Sequence, residues 1–152
     1  MLPTPTKFTL VAGTGEGHTP LNAFDQALLA AGAGNVNLLR VSSILPPGAR
    51  YAERVILPPG ALVPVAYGAL KSATPGERIA AAVAVGIPES GFGVIMEYSG
   101  RTSREEAEKT IRGMVEEAFD MRGLSLVTYR VKSVEHEVVM AGAVFAGIIL
   151  WY

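Results

Sequence analysis

The sequence contains no cysteine, and that one absence removes disulfides, thiolate metal sites and thiol catalysis together. Histidine is nearly as scarce: His18 and His136 lie far apart and lack metal-ligand spacing, so each reads as a surface or hydrogen-bonded side chain. Charged residues make up only 18% of the chain, the net charge is −1, and no basic block occurs. Nucleic acid and anionic membrane are poor partners for such a chain. Long hydrophobic runs are missing too. The most apolar stretch, residues 138–152, is interrupted by Gly142 and Gly147 and falls short of the about 20 residues that span a bilayer. Met1-Leu-Pro-Thr-Pro5 has neither the basic nor the apolar region of a signal peptide. The expectation is a cytoplasmic protein with no metal, no membrane and no nucleic acid.

What the chain does have is apolar bulk. Hydrophobic residues are 49% of 152, enough for a single domain over residues 1–152 with a substantial core. With so little charge to cover its outside, part of that apolar surface is expected to be buried between subunits.

Residues 7–12 read as a short strand running into Gly13-Thr-Gly-Glu-Gly17. Thr19 and Pro20 then form a strong helix start, with Leu21, Phe24, Leu28 and Ala31 at helical spacing and Gly32 and Gly34 ending the run. A strand, a glycine loop and a helix suggest a phosphate site. The dinucleotide fingerprint, however, needs glycine where His18 stands, and the stretch reads as a tight turn. Residues 36–44 form a second strand with Asn37, Leu39, Val41 and Ser43 on one face, stopped by Pro46-Pro47-Gly48. Residues 62–69, 78–85 and 92–98 read as strands punctuated by glycine and proline. Residues 103–122 form the clearest helix: Ser103 and Glu106 make a capping box, Ala107, Ile111, Met114, Val115, Ala118 and Phe119 a buried stripe, and Gly123 a stop. Two long strands, 124–134 and 138–151, close the chain. The predicted class is α/β (α+β), a layered αββα sandwich with largely antiparallel sheets.

Chemistry is left to hydroxyls and carboxylates. Ser42 and Ser43 stand side by side where a strand is about to be stopped, a place that can hold backbone under strain and leave a hydroxyl beside its own carbonyl. Glu97 is a lone acid in the apolar run 94–98, where burial would raise its pKa and keep a proton available for donation. An exposed or arginine-paired Glu97 fits the pattern equally well. Asp25, ringed by Leu21, Leu28 and Leu29 on the helix surface, reads either as a solvent-facing acid or as the lip of a cation pocket.

Three blocks together resemble the pyruvoyl-dependent arginine decarboxylase family: Leu21-Asn-Ala-Phe-Asp-Gln-Ala-Leu28, Gly34-Asn-Val-Asn-Leu-Leu-Arg-Val-Ser-Ser-Ile-Leu-Pro-Pro-Gly48 and Met96-Glu-Tyr-Ser-Gly100. The resemblance runs from the first strand to the last. It implies self-cleavage between Ser42 and Ser43, giving a small subunit of residues 1–42 and a large subunit of 43–152. Ser43 would become a covalently bound pyruvoyl group, the cofactor, with no metal and no pyridoxal phosphate. It further implies L-arginine as substrate, agmatine and carbon dioxide as products, and a place in polyamine biosynthesis. Glu97 matches the family's proton donor, Asn37 an asparagine tied to self-processing, and Asp25 a residue that contacts the guanidinium. The family assembles as trimers with sites between subunits, so a homotrimer, or a dimer of trimers, is expected.

Asn37 and Ser43 are six residues apart, roughly 20 Å along an extended strand, and cannot touch within one straight strand. Either the strand breaks between them or Asn37 serves the Ser43 of a neighbouring subunit; the second is the favoured expectation. Two other functions remain open. One is a non-catalytic trimeric homologue that binds or regulates without cleaving, and the other is a pyruvoyl decarboxylase acting on another basic amino acid.

Overall fold

A computed structural model describes residues 2–152. The elements in chain order are β1 (Lys7–Gly17), α1 (Pro20–Ala30), β2 (Asn37–Arg40), β3 (Ile44–Leu45), β4 (Arg50–Tyr51), β5 (Leu62–Ser72), β6 (Arg78–Ile87), β7 (Gly93–Gly100), α2 (Arg104–Arg122), β8 (Thr128–Glu137) and β9 (Ala141–Trp151). They form a 5-stranded sheet in the order β2-β5-β9-β1-β4 and a 4-stranded sheet in the order β3-β7-β6-β8. The pairs β1–β4 and β2–β5 are parallel; all the others are antiparallel.

Alternation along the strands divides the apolar residues among three interfaces. Val63, Val65, Phe145 and Ile149 face α1; Leu10, Ala66, Val83, Ile95 and Ile148 meet between the sheets; Ala82, Ala84 and Val94 face α2. The layers are therefore helix, sheet, sheet, helix, as the pattern of elements predicts.

The second helix follows its sequence signals closely. Ser103 Oγ accepts from the Glu106 N–H (3.2 Å), and Gly123 ends the helix in the left-handed region at φ 63°. In its stripe, Ala107, Ile111, Val115, Ala118 and Phe119 are buried and Met114 is half-buried.

The first strand and helix differ from expectation. No loop or tight turn occupies residues 13–17, because β1 continues through Gly17, paired with β9 along all 11 of its residues. The reason lies on its outer face. A Cβ on Gly13 would stand 2.8 Å from the Ala31 nitrogen, one on Gly15 2.6 Å from the Ala27 nitrogen, and one on Gly17 2.7 Å from the Ala23 nitrogen. Alternate glycines thus let α1 lie directly on the strand backbone. The helix answers with small residues: Ala23 and Ala27 are fully buried, Phe24 and Leu28 are half-buried, and Leu21 is 70% exposed and outside the stripe assigned to it. The closing strands also shift, to Thr128–Glu137 and Ala141–Trp151, with 124–127 as connection.

Candidate active site

The predicted strand over 36–44 is two strands in different sheets. Along β2 the Asn37 N–H donates to the Ala61 carbonyl (2.8 Å), and the Val41 N–H, just beyond the strand, donates to the Val65 carbonyl (3.0 Å). That is the last bond to the first sheet. The Ser43 carbonyl already accepts from the Ile95 N–H (2.7 Å) of β7 in the second sheet, after which Ile44 pairs with Val94. Residues 41–43 are therefore the crossing from one sheet to the other, and the Ser42–Ser43 peptide bond lies inside it. Among the described residues, neither the Ser42 carbonyl nor the Ser43 N–H has a hydrogen-bond partner. The bond expected to cut is thus free of both ladders and anchored immediately on either side.

The edge of the first sheet is finished by a side chain. Where β2 leaves, the Tyr67 carbonyl of β5 accepts from the Arg40 guanidinium (2.7 Å), which also lies 4.3 Å from the centroid of the Tyr67 ring. Nothing in the sequence pattern marks Arg40 or Tyr67; the register of β2 on β5 is what reveals them.

Glu97 stands on β7 two residues beyond Ile95, paired with Val83 of β6, and its strand parity turns it toward the space between the sheets. It is half-buried. Burial raises its pKa above the ordinary carboxylate value, and the charge of Arg40 partly opposes the rise. The strand that carries it is held against the first sheet: Ser99 Oγ donates to the Ala69 carbonyl (3.0 Å), and a Cβ on Gly68 would meet the Tyr98 carbonyl oxygen at 3.0 Å. Beside the crossing opens a cleft of about 260 Å³ lined by Val41, Ser42, Ile44, Pro64, Leu150 and Tyr152. A larger, more polar cleft of about 580 Å³ lies at the far end of α1, between Gly32, Arg54 and Lys132, and includes neither serine.

The other two predicted residues are elsewhere. Asn37 is exposed, and its side-chain amide donates to the Gly60 carbonyl (3.0 Å), bracing β2 against the Pro58-Pro59-Gly60 turn. The strand does break between Asn37 and Ser43, but the break does not bring the Asn37 amide to the Ser42 carbonyl. Asp25 is exposed on α1, which packs on the outer face of the first sheet, a different layer from Ser43 and Glu97. One chain therefore gathers the serine pair and Glu97, but neither Asn37 nor Asp25.

Fold and site together define a layered α+β protein in which an adjacent serine pair lies at the crossing from one sheet to the other and a half-buried acid stands on the strand that receives it. The family model described as pyruvoyl-dependent arginine decarboxylase matches residues 7–147. Curated proteins of that name are similar along the chain. The one from Methanocaldococcus jannaschii is 54% identical over 150 residues, covering 97% of this chain and 91% of that protein. The one from Methanococcus maripaludis strain C7 is 44% identical, covering 97% and 92%, and the one from Thermococcus kodakarensis is 46% identical, covering 87% and 85%. The chain belongs to the pyruvoyl-dependent arginine decarboxylase family, whose name states the cofactor and the reaction class: a covalent pyruvoyl group and a carboxy-lyase.

Proposed function

We propose that this chain cuts itself between Ser42 and Ser43 and then decarboxylates L-arginine to agmatine and carbon dioxide. The observation that carries the reading is the place of the Ser42–Ser43 bond, unbonded within the crossing between sheets, in a chain of this family.

The cut is an internal acyl shift. Ser43 Oγ attacks the Ser42 carbonyl carbon, the C–N bond breaks, and the released amine takes up a proton. The resulting ester then loses the Ser43 α-proton and the Ser42 carboxylate, leaving dehydroalanine at position 43. Water displaces its nitrogen as ammonia, which produces the pyruvoyl end. The Ile95 N–H, which donates to the carbonyl of residue 43, would hold the new end in place.

Once formed, the pyruvoyl group supplies an electron-accepting ketone that binds the substrate α-amine and takes up the electron pair as carbon dioxide leaves. The chain's own residues do the rest. Glu97, whose protonated form is favoured by burial, donates its proton to the α-carbon. Asp25 pairs with the substrate guanidinium, a planar cation that a carboxylate can engage through two hydrogen bonds.

Because Asp25 and Asn37 do not reach Ser43 within one chain, we assign them to the site of a neighbouring subunit in a homotrimer, with Asn37 holding the scissile carbonyl. Exposed apolar residues support burial between copies: Leu21 is 70% exposed, Ile56 90% and Leu62 57%.

The test is the intact mass of the purified chain together with a product assay. Two fragments split after Ser42 are expected, the larger with a blocked N-terminus that has lost ammonia, and arginine should yield agmatine and carbon dioxide in equal amounts. Ser43→Ala should leave the chain whole and inactive. A wild-type chain that stays at full length after long incubation overturns the proposal, and turnover of lysine or ornithine in preference to arginine overturns the substrate.

A further inference from the structure

The register of β2 on β5 assigns a role to Arg40. The Asn37 N–H donates to the Ala61 carbonyl and the Val41 N–H to the Val65 carbonyl, so each donor on β2 meets an acceptor at one fixed offset on β5. One further ladder step pairs the Ser43 N–H with the Tyr67 carbonyl. A strand that simply continued would make that bond and would carry the serine pair into the first sheet. In the structure the Tyr67 carbonyl is already taken by the Arg40 guanidinium (2.7 Å), while the Ser43 carbonyl is bonded to Ile95 of the second sheet.

We infer that Arg40 is a positioning residue for self-cleavage: its guanidinium occupies the ladder acceptor that Ser43 would otherwise bond, and so holds the Ser42–Ser43 peptide in the crossing. The inference deepens the self-processing reading and rests on it.

The chemistry explains why the diversion matters. In the acyl shift the Ser43 nitrogen becomes the leaving amine and must turn from planar to pyramidal. A ladder bond from that N–H to Tyr67 would hold the peptide flat and extended. Occupying the acceptor disfavours this alternative, because a second donor would have to share the oxygen with a charged one. Arginine suits the task, because its fork can bond a carbonyl at the sheet edge while its plane stacks on an aromatic ring, here that of Tyr67 at 4.3 Å. The charge also makes this a stronger bond than a neutral amide would form.

The experiment follows cleavage of purified full-length chain by intact mass, in Arg40→Met, Arg40→Lys and Arg40→Ala, each with its thermal midpoint and assembly size measured. Arg40→Met keeps the stem and loses the donors. It should cleave roughly ten- to a hundredfold more slowly than wild type, the range expected for losing one charge-assisted bond. Arg40→Lys, which keeps a charged donor, should recover part of the rate. In Arg40→Ala, tens of millimolar guanidinium should accelerate cleavage, and the same concentration of sodium chloride should not. Loss of fold would not respond in that way, so the rescue separates positioning from general stability. Wild-type rates in Arg40→Met, or slow cleavage in Arg40→Ala that guanidinium does not change, overturn the inference. If the wild-type chain never cuts, the self-processing reading fails first and takes this one with it. If wild type cuts and Arg40→Met cuts equally fast, only the role of Arg40 is lost.

Discussion

Glu97 is an acid placed where ionisation works against burial, and its consequences follow from the sign of that conflict. Its folded-state pKa lies above the ordinary carboxylate value, because burial raises it more than Arg40 lowers it. The protonated acid is therefore favoured in the fold. Its contribution to stability is full below the ordinary carboxylate pKa and is lost as pH rises through the raised one. Proton donation shares that direction, so turnover should fall as pH rises through the Glu97 pKa. Glu97→Gln should lower kcat by about 10² to 10⁴-fold, the usual worth of a positioned acid, and should flatten this part of the pH profile while leaving cleavage nearly intact. Equal loss of cleavage and turnover would remove Glu97 from the role. At this scale the sequence is partly legible. A lone acid in an apolar strand is visible as an anomaly, but Arg40 is one charge among many until the ladder shows which carbonyl it takes.

Among the elements, β1 and α1 carry the clearest lesson. Gly13, Gly15 and Gly17 recur at strand spacing, and Ala23, Ala27 and Ala31 recur at helical spacing. Read together, the two patterns describe a helix laid against a strand; read as a glycine cluster, the first describes a loop. Gly15→Ala should destabilise the protein by about 1–3 kcal/mol or more through overpacking, since its Cβ would meet helix backbone that cannot yield locally. A denaturation midpoint unchanged from wild type would show that α1 can lift away. The helix α2 was legible at both ends because capping is local chemistry, with Ser103 and Gly123 marking them. The break in 36–44 was legible only as one of two ways to account for the distance between Asn37 and Ser43, and its position was not. Residues 36–44 alternate as one strand would, and what divides them is a competition between two sheets for the same backbone, decided by residues far along the chain.

For the whole molecule, layers and class were readable from the pattern of elements, while the separation of Asn37 from Ser43, on which the proposed site between copies rests, was only half readable. Distance along a strand shows that Asn37 and Ser43 cannot meet in one straight segment; the fold adds that the break between them does not help, because Asn37 is turned to Gly60. If a neighbouring copy supplies Asn37, cleavage requires association. Diluting a slowly cutting variant such as Arg40→Met below its assembly midpoint should then slow cleavage in step with the loss of trimer, followed by sizing and intact mass on the same samples. A cleavage rate independent of concentration, in a sample shown to be monomeric, would return the whole event to a single chain.

The position of β1 would have an effect that outlasts the proposed cut. It lies inside the first sheet between β9 and β4, and β2 of the same predicted fragment pairs with β5. Residues 1–42 would thus remain threaded through the large fragment after the covalent link is gone. What folded as one chain would become two, and regaining the fold after unfolding would change from a first-order event into a meeting of separate molecules, made less favourable by dilution. The mature protein would carry a history that it cannot repeat. Its working lifetime would then be governed by the barrier to coming apart rather than by an equilibrium it could re-enter.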